Sequence, residues 1–362
     1  MRSKFEETPR ETTSRMSFFG GAFVALFFLA ALLPCQYAQA QWTSLPSGVT
    51  DDLFGVHFLD EQTGFAAGWG SASGGVILKT TDGGGVWTSS TPVAGAYLFG
   101  VEFPTSTTGF VAGSDAGGTF NAMILKTTDG GDIWTPSLFG DSYGFYVVDF
   151  PTTEIGYACG YLGAIYKTID TGVIWSRLTT GTSITFRVMH FVDENTGYAV
   201  GGVNFNQPDE IYRTTNGGGD WSRVHDFNGG AVVGGIHFFD VDTGIIVGNN
   251  GNEAALKSYD GGETWQVKHT GAPSDVLQGL HCEGVSCLAV GGSGRILRTT
   301  DAGETWVLDG TTDPPTLLLA VSQAGNASYV TGSSGTIFKS TGMIFSDGFE
   351  SGDMSIWTAA TP

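Results

Sequence analysis

The sequence predicts an all-β protein, a seven-bladed β-propeller of four-stranded blades, and three observations lead to this prediction. Glycine is abundant, with 56 in 362 residues, and no stretch repeats its apolar residues at the helical period of 3.6. A segment with Lys/Arg-Thr/Ser-x-Asp and a Trp five residues after the Asp recurs about every 43 residues, which is typical of propeller blades. The last repeat lacks a fourth strand that begins with Trp, and such a strand begins at Trp42, before the first complete repeat.

The recurring turn follows the Asp-box pattern, Ser/Thr-x-Asp-x-Gly-x-x-Trp. Its acidic or amide position is filled by Asp82, Asp129, Asp170, Asn216, Asp260 and Asp301, spaced by 47, 41, 46, 44 and 41 residues. A side-chain oxygen at this position accepts backbone N–H groups of its own turn. The Gly two residues later is expected where φ is positive. We therefore interpret these six residues as structural rather than as catalytic acids or calcium ligands.

The upstream half of each unit also repeats. Val56-His-Phe and Thr63-Gly-Phe-Ala-Ala-Gly have counterparts at 101–113, 189–201 and 236–248. Each unit therefore contains two strands joined at Thr-Gly, a loop, a third strand, the Asp-box turn and a fourth strand that begins with Trp. The last unit ends at Thr341 without a Trp strand, and Trp42 begins one at the other end. We expect the Trp42 strand to complete the last blade, which removes free sheet edges.

The first 40 residues have the features of a secretory signal peptide. Basic residues precede an apolar run at 18–33, and Ala38-Gln39-Ala40 offers small residues to a signal peptidase. An uncleaved N-terminal anchor is the alternative. The predicted organisation is a signal peptide at 1–40, a propeller at 41–342 and a C-terminal tail at 343–362. We expect a protein that is secreted or held in the periplasm or cell envelope.

Charge excludes two classes of partner. Without residues 1–40 the chain has 12 Lys and Arg against 33 Asp and Glu, a net charge near −21, which repels nucleic acid and anionic lipid. Seven basic residues share one position of the repeat: Lys79, Lys126, Lys167, Arg213, Lys257, Arg298 and Lys339. Arg187 and Arg295 are off this pattern. A sialidase-type site, which needs three convergent arginines, is therefore not expected.

The loops between second and third strands, on the face opposite the Asp-box turns, are the predicted binding region. They contain aromatic and acidic candidates: Trp69, Asp115, Phe120, Phe205, Asp209 and Glu210. Such residues can bind a protein partner, which is our first hypothesis, with a monomeric propeller and no cofactor or metal. They can also bind a glycan, and two carboxylates can hydrolyse one, so a carbohydrate-active propeller is the alternative.

Four histidines occupy one equivalent position of the first strand: His57, His190, His237 and His281. Glu102, Asp149 and Ser322 fill it in the other units. Because the first strand of a blade is innermost, we expect a polar ring around the channel. Hydrogen bonds between His and carboxylate groups of neighbouring blades, with pH sensitivity in the His range, are favoured over a metal site.

Cys282 and Cys287 flank the predicted turn Glu283-Gly-Val-Ser286. They could face each other across a hairpin as a disulfide, or be two small buried residues. Cys159 stands where another unit has Ala67, and we interpret it as a buried small residue.

The combination Val-x-Phe, Thr-Gly-Phe/Tyr-Ala-x-Gly and Ile-x-Lys-Thr-x-Asp-Gly-Gly-x-x-Trp resembles the photosystem II stability and assembly factors and their bacterial relatives. The resemblance covers residues 41–342 and implies a propeller that serves protein binding or complex assembly. For those factors, the resemblance implies docking on a reaction-centre subunit through an arginine-rich surface. In this chain, Arg187 and Arg295 are the only remnants of such a surface. The tail segment Asp347-Gly-Phe-Glu-Ser-Gly-Asp353 resembles a tail of secreted bacterial proteins. It is interpreted either as a sorting or processing signal or as a disordered or lightly docked end.

Overall fold

The computed structural model describes residues 40–70, 74–115, 121–139, 144–203, 209–227, 232–273 and 275–341. Most of the predicted signal peptide, the tail, Phe120 and Phe205 lie outside the described residues. Within the described part of the chain, no helix is long and apolar enough to cross a membrane.

The described residues form seven antiparallel sheets of four strands each. The first strand, β1, is Thr43–Leu45, and blades 1 to 3 follow as β2 (Asp52–Phe58), β3 (Gly64–Gly70), β4 (Gly74–Thr80), β5 (Thr88–Ser90), β6 (Tyr97–Glu102), β7 (Gly109–Ser114), β8 (Ala122–Thr127), β9 (Thr135–Phe139), β10 (Phe145–Asp149), β11 (Gly156–Gly160), β12 (Ile165–Thr168) and β13 (Ser176–Arg177). Blades 4 to 7 are built from β14 (Thr185–Phe191), β15 (Gly197–Gly202), β16 (Glu210–Thr214), β17 (Ser222–Asp226), β18 (Val232–Phe238), β19 (Gly244–Asn249), β20 (Asn252–Ser258), β21 (Gln266–Pro273), β22 (Leu277–Glu283), β23 (Ser286–Gly291), β24 (Arg295–Thr299), β25 (Val307–Thr311), β26 (Leu318–Ala324), β27 (Ala327–Gly332) and β28 (Ile337–Thr341). Short 3-10 turns follow three of the second strands, at Tyr161–Gly163, Gly292–Gly294 and Ser333–Gly335.

Blade 7 closes the ring in the predicted way. Its strand order is β1-β28-β27-β26, with Thr43 opposite Lys339 and Leu45 opposite Ile337. Trp42 packs against an apolar cluster shared by blades 6 and 7 that includes Leu288, Val330 and Phe338. The prediction of a seven-bladed propeller completed by the Trp42 strand is confirmed.

Aromatic residues join neighbouring blades. Phe191 at the end of β14 stacks on Tyr157 of blade 3, with ring centroids 3.6 Å apart and planes 7° apart, and meets Trp221 edge-on at 6.0 Å. A Cβ on Gly197 would lie 2.4 Å from the Phe191 ring, so the Gly of the Thr-Gly turn makes room for it. The same stack occurs in four other places: Phe58 on Tyr329, Phe103 on Phe65, Phe150 on Phe110 and Phe238 on Tyr198. These stacks explain the Val-x-Phe and Thr-Gly repeats.

Blade 6 departs from this pattern. Cys282 stands where blades 1 to 5 have the Phe, and its cross-strand partner Cys287 stands where they have the Gly. A disulfide links the two cysteines, so a covalent cross-strand pair replaces the Phe–Gly packing. Cys159 is a free, fully buried cysteine in β11.

The turns between third and fourth strands, here named the Asp turns, are residues 80–87, 127–134, 168–175, 214–221, 258–265 and 299–306. In the first, Thr80 Oγ1 donates to Asp82 Oδ1 (2.8 Å) and accepts the Gly84 N–H (2.9 Å), while Asp82 Oδ1 accepts the Val86 N–H (2.9 Å). Asn216 Oδ1 accepts the Asp220 N–H in the same way, at 2.9 Å. The Gly two residues after the Asp or Asn has φ between 70° and 91° in all six turns.

The repeated basic residues are used inside the fold. Lys167 Nζ donates to the Gly217 carbonyl in the next blade (2.8 Å), and Lys339 Nζ donates to the Gly83 carbonyl across the ring closure (3.1 Å). Lys257 pairs with Glu304 of blade 6 at 2.8 Å. These side chains bind the third strand of one blade to the Asp turn of the next, so they do not form a basic docking surface.

Candidate functional site

A cavity of about 1000 Å³ opens at the centre of the ring. It lies where the inner strands begin, on the face opposite the Asp turns, because β2 to β4 run alternately between the two faces and β4 ends in an Asp turn. This is the face on which the sequence placed the binding region. We call this opening the channel mouth.

One side of the channel mouth is aromatic. Phe54, Phe99 and Tyr146 hold equivalent places in the inner strands of blades 1, 2 and 3, with centroids 5.4 Å apart in the first pair and 4.9 Å apart in the second. Trp69 stacks on Phe54 at 6.5 Å, and the Tyr146 hydroxyl donates a hydrogen bond to the Tyr161 hydroxyl at 2.6 Å. We name these five residues the aromatic arc. The opposite side, from blades 5 to 7, contains the polar Asn249 and Gln278 but is lined mainly by small and aliphatic residues, among them Val232, Val233, Gly234, Gly279, Leu319 and Ala320.

Arg187 holds the position in blade 4 that Phe54, Phe99 and Tyr146 hold in blades 1 to 3. Among the described residues that line the cavity, it is the only Asp, Glu, Lys or Arg. Its guanidinium pairs with Asp209, and both side chains are buried. Asp209 Oδ2 also accepts the Val233 N–H of blade 5 at 2.7 Å. Burial raises the pKa of Asp209 and Arg187 opposes the rise. The pair is therefore a buried ion pair that joins blades 4 and 5.

The other predicted binding residues lie in several places. Asp115 Oδ1 accepts the Asn121 N–H at 2.9 Å, across the loop that holds Phe120. Glu210 accepts hydrogen bonds from Arg223 (3.1 Å) and Tyr212 (3.0 Å).

Arg295 forms two hydrogen bonds, of 2.6 and 3.1 Å, with the buried carboxylate of Glu253. Of the predicted binding residues, the described lining of the cavity includes Trp69 and Arg187. Asp209 is not part of that lining but contacts two lining residues, Arg187 and Val233.

In each inner strand, the residue of the predicted polar ring comes three positions after the residue equivalent to Phe54. Its side chains accept backbone N–H groups of the following blade: Glu102 from Phe150, Asp149 from Phe191, His190 from Phe238, His281 from Gln323 and Ser322 from Phe58. These five bonds go to peptide N–H groups of the next blade and therefore differ from the expected His–carboxylate pairs. Among the described residues, no group of three His, Cys, Asp or Glu could hold a metal ion.

The ring titrates outside the His range expected from sequence. Burial, and next the neighbouring imidazoles, lower the pKa of His57 and His237 to about 4 and that of His190 to about 3; burial lowers that of His281 to about 4. Burial raises the pKa of Glu102 well above its usual range, with the Asp149 charge as the second cause, and raises that of Asp149 to about 7. At neutral pH the histidines are neutral, as their accepting role requires.

We expect the free energy of unfolding to fall as the pH is lowered from about 6.5 to about 4. In this window the four unfolded histidines bind protons that the folded ones do not, which destabilises the fold. Glu102 and Asp149 act in the opposite sense, but they are two groups against four. The expected loss is on the order of 1–3 kcal/mol per pH unit.

Urea titrations at several pH values measure this slope. His190→Gln should reduce it, while His225→Gln, at a residue of the outer strand β17, should leave it unchanged. A stability that is constant or increases on acidification would show that the ring histidines are not buried as described.

Of the five residues of the aromatic arc, the sequence analysis had named only Trp69. Phe54 and Phe99 each precede a Gly that opens the repeat Gly-Val-x-Phe, which was the available signal. Each inner strand carries an irregularity at this point, between Leu53 and Gly55 in β2 and between Leu98 and Val101 in β6. The irregularity changes which side chains face the channel, so simple alternation along the strand could not place them.

A closed seven-bladed propeller whose channel mouth is mainly apolar, with aromatic residues on one side, is typical of propellers that bind a ligand or partner. The chain belongs to the family described as Photosynthesis system II assembly factor YCF48, whose sequence profile matches residues 35–187 and 226–341. The prediction of an assembly-factor-like propeller family is confirmed.

Solved structures support the same fold. YCF48 bound to a D1 peptide is 19% identical with a TM-score of 0.66, covering 84% of this chain and 96% of that one. YCF48 from Cyanidioschyzon merolae is 16% identical with a TM-score of 0.64, covering 83% and 99%. The WD40 β-propeller domain of Doa1 is 15% identical with a TM-score of 0.59, covering 83% and 96%. A search of the curated proteins finds no match.

Proposed function

We propose that this chain is an exported, non-enzymatic scaffold that binds a segment of a partner protein at the channel mouth during assembly of a larger complex. The observation that carries the proposal is the cavity of about 1000 Å³ bordered by the aromatic arc. Aromatic side chains give large contact areas with little loss of rotamer freedom, and they are enriched where proteins bind partners. Family membership supports a role in assembly.

A polypeptide partner fits the dimensions and chemistry of this site. One similar structure is YCF48 bound to a D1 peptide, and we infer by analogy that this chain also accepts a peptide segment, from an exported or membrane protein. An extended segment can place apolar side chains on the aromatic arc while its backbone passes the Gly-rich side at Gly234 and Gly279.

Export is part of the proposal and has two supports. The segment at residues 18–40 has the apolar run and small residues of a signal peptide. The disulfide between Cys282 and Cys287 belongs to a type of bond that persists in oxidising compartments outside the cytoplasm.

Glycoside hydrolysis is the alternative function that must be excluded. That reaction needs two carboxyl groups beside the scissile bond, and none of the described residues that line the cavity is Asp or Glu. Asp209 is held by Arg187 and by the Val233 N–H. The lack of Asp and Glu in the described lining and the engagement of Asp209 both favour binding over hydrolysis.

The experiment is site-specific photo-crosslinking in the native host. A benzoylphenylalanine at position 99 should cross-link to one discrete protein, and the same group at position 174 should not, because Ile174 lies on the opposite face and is 65% exposed. Equal adducts at the two positions would contradict the proposal. A parallel glycan-hydrolysis screen should be negative, and hydrolysis that Asp209→Asn abolishes would replace the scaffold by a glycosidase.

A further inference from the structure

We propose that the partner segment that enters the channel mouth is basic, with Lys or Arg side chains beside its apolar ones. This inference rests on the proposed function and specifies the chemistry of the partner. It follows from the charges around the cavity, from the aromatic arc and from the balance of the whole chain.

Carboxylates adjoin the lining of the channel mouth on both sides. Asp52 lies opposite the lining residue Trp69 in the β2–β3 register, and its Oδ1 accepts the Ser334 N–H at 2.8 Å. Asp275 directly precedes the lining residue Val276 and accepts the Ser293 hydroxyl at 3.1 Å. The Ser334 N–H that Asp52 accepts is uncharged. Asp275 lies near Arg295, whose pKa is raised first by Glu253 and also by Asp275, so two carboxylates share one guanidinium on this side of the channel mouth.

Positive charge at the channel mouth is already neutralised. The buried guanidinium of Arg187 is paired with the buried carboxylate of Asp209. Arg295, the other off-pattern arginine, is held in two hydrogen bonds by Glu253. An entering cation therefore meets an ion pair rather than a free arginine, and an entering anion gains no unpaired arginine.

The aromatic arc favours the same partner. A Lys ammonium or Arg guanidinium within about 6 Å of an aromatic face is attracted to it, because the face of the ring is negative. Phe54, Phe99 and Trp69 present half-buried rings at the cavity. The hydrocarbon stems of Lys and Arg also pack well on such rings.

The net charge of the whole chain, −20 at neutral pH, steers basic partners toward the protein and repels acidic ones. It also repels a second copy of this chain. Of the occupants that an apolar mouth could accept, a basic and apolar segment of another protein is the one whose charge complements this surface.

The test uses three short synthetic peptides with Leu at the same positions and Lys, Gln or Glu at the remaining ones. Isothermal titration at low and high NaCl measures their affinities for the full chain. The Lys peptide should bind at least about tenfold more tightly than the Glu peptide at low salt, and the difference should shrink at high salt.

Two variants separate the channel mouth from the general acidity of the surface. Asp52→Asn with Asp275→Asn keeps the hydrogen-bond acceptors and should reduce the Lys-to-Glu preference several-fold. Phe99→Leu keeps an apolar side chain but removes the ring, and should weaken the Lys peptide several-fold. Ile174→Ser, on the opposite face, should change neither value, and circular dichroism checks that each variant is folded.

The possible outcomes distinguish the two proposals. A Glu peptide that binds as tightly as the Lys peptide, with both weakened by Phe99→Leu, overturns the basic partner but leaves a peptide-binding mouth. Binding of the Lys peptide that none of the mouth variants changes is adsorption to the acidic surface, and it overturns this inference. No binding by any of the three peptides overturns this inference and counts against the proposed function.

Discussion

A chain that begins at Pro46 is expected to be about 5 kcal/mol less stable than one that begins at Ala40, the largest effect of any change considered for this fold. The removed residues include β1, whose pairing with β28 completes blade 7. They also include Trp42 and Leu45, which pack against the apolar clusters of blades 6, 7 and 1. Without them β28 becomes an unpaired edge strand, which also promotes aggregation.

Guanidinium titrations of the two chains measure the difference. A synthetic peptide of residues 40–48, added in excess, should restore part of the lost stability because it can pair with β28. Equal unfolding midpoints for the two chains would contradict the closure, since they would show that the Trp42 strand does not hold the ring together.

Phe191→Ala is expected to cost about 4 kcal/mol, the second largest effect. The ring of Phe191 is 4% exposed and joins Tyr157 of one blade to Trp221 of the next. Its removal leaves a cavity at a blade interface over Gly197, which has no side chain to fill it.

Urea unfolding followed by tryptophan fluorescence gives the size of this loss. Val173→Ala is the matched control, because Val173 is 69% exposed on an Asp turn and its loss should change stability by less than about 0.5 kcal/mol. Similar losses for the two variants would mean that the aromatic stacks do not stabilise the contacts between blades.

The fold could be predicted because its signals are local and repeated. The hydrogen bonds of each Asp turn join residues no more than four positions apart, so the pattern that forms them is visible in the sequence. The closure could be predicted because the blade that ends at Thr341 has only three strands of its own, and the Trp42 strand belongs to no other blade. The polar ring followed from the equivalence of His57 with its counterparts in the other units.

The candidate site could be predicted only in part because it depends on contacts between blades. The cavity opens on the face that the sequence favoured, and Trp69 lines it. Phe54 and Tyr146 were missed, because strand irregularities decide which residues face the channel. The partners of Arg187 and Arg295 were missed because Asp209 is 22 positions and Glu253 is 42 positions away in sequence.

The central claim is that a partner segment binds at the channel mouth, and methyl NMR of methionine tests it most directly. Met189 lines the cavity, whereas Met123 is fully buried in the core of blade 2. When the protein is saturated with the segment identified by cross-linking, the methyl signal of Met189 should shift and that of Met123 should not. A saturated complex in which the Met189 signal is unchanged would contradict the claim.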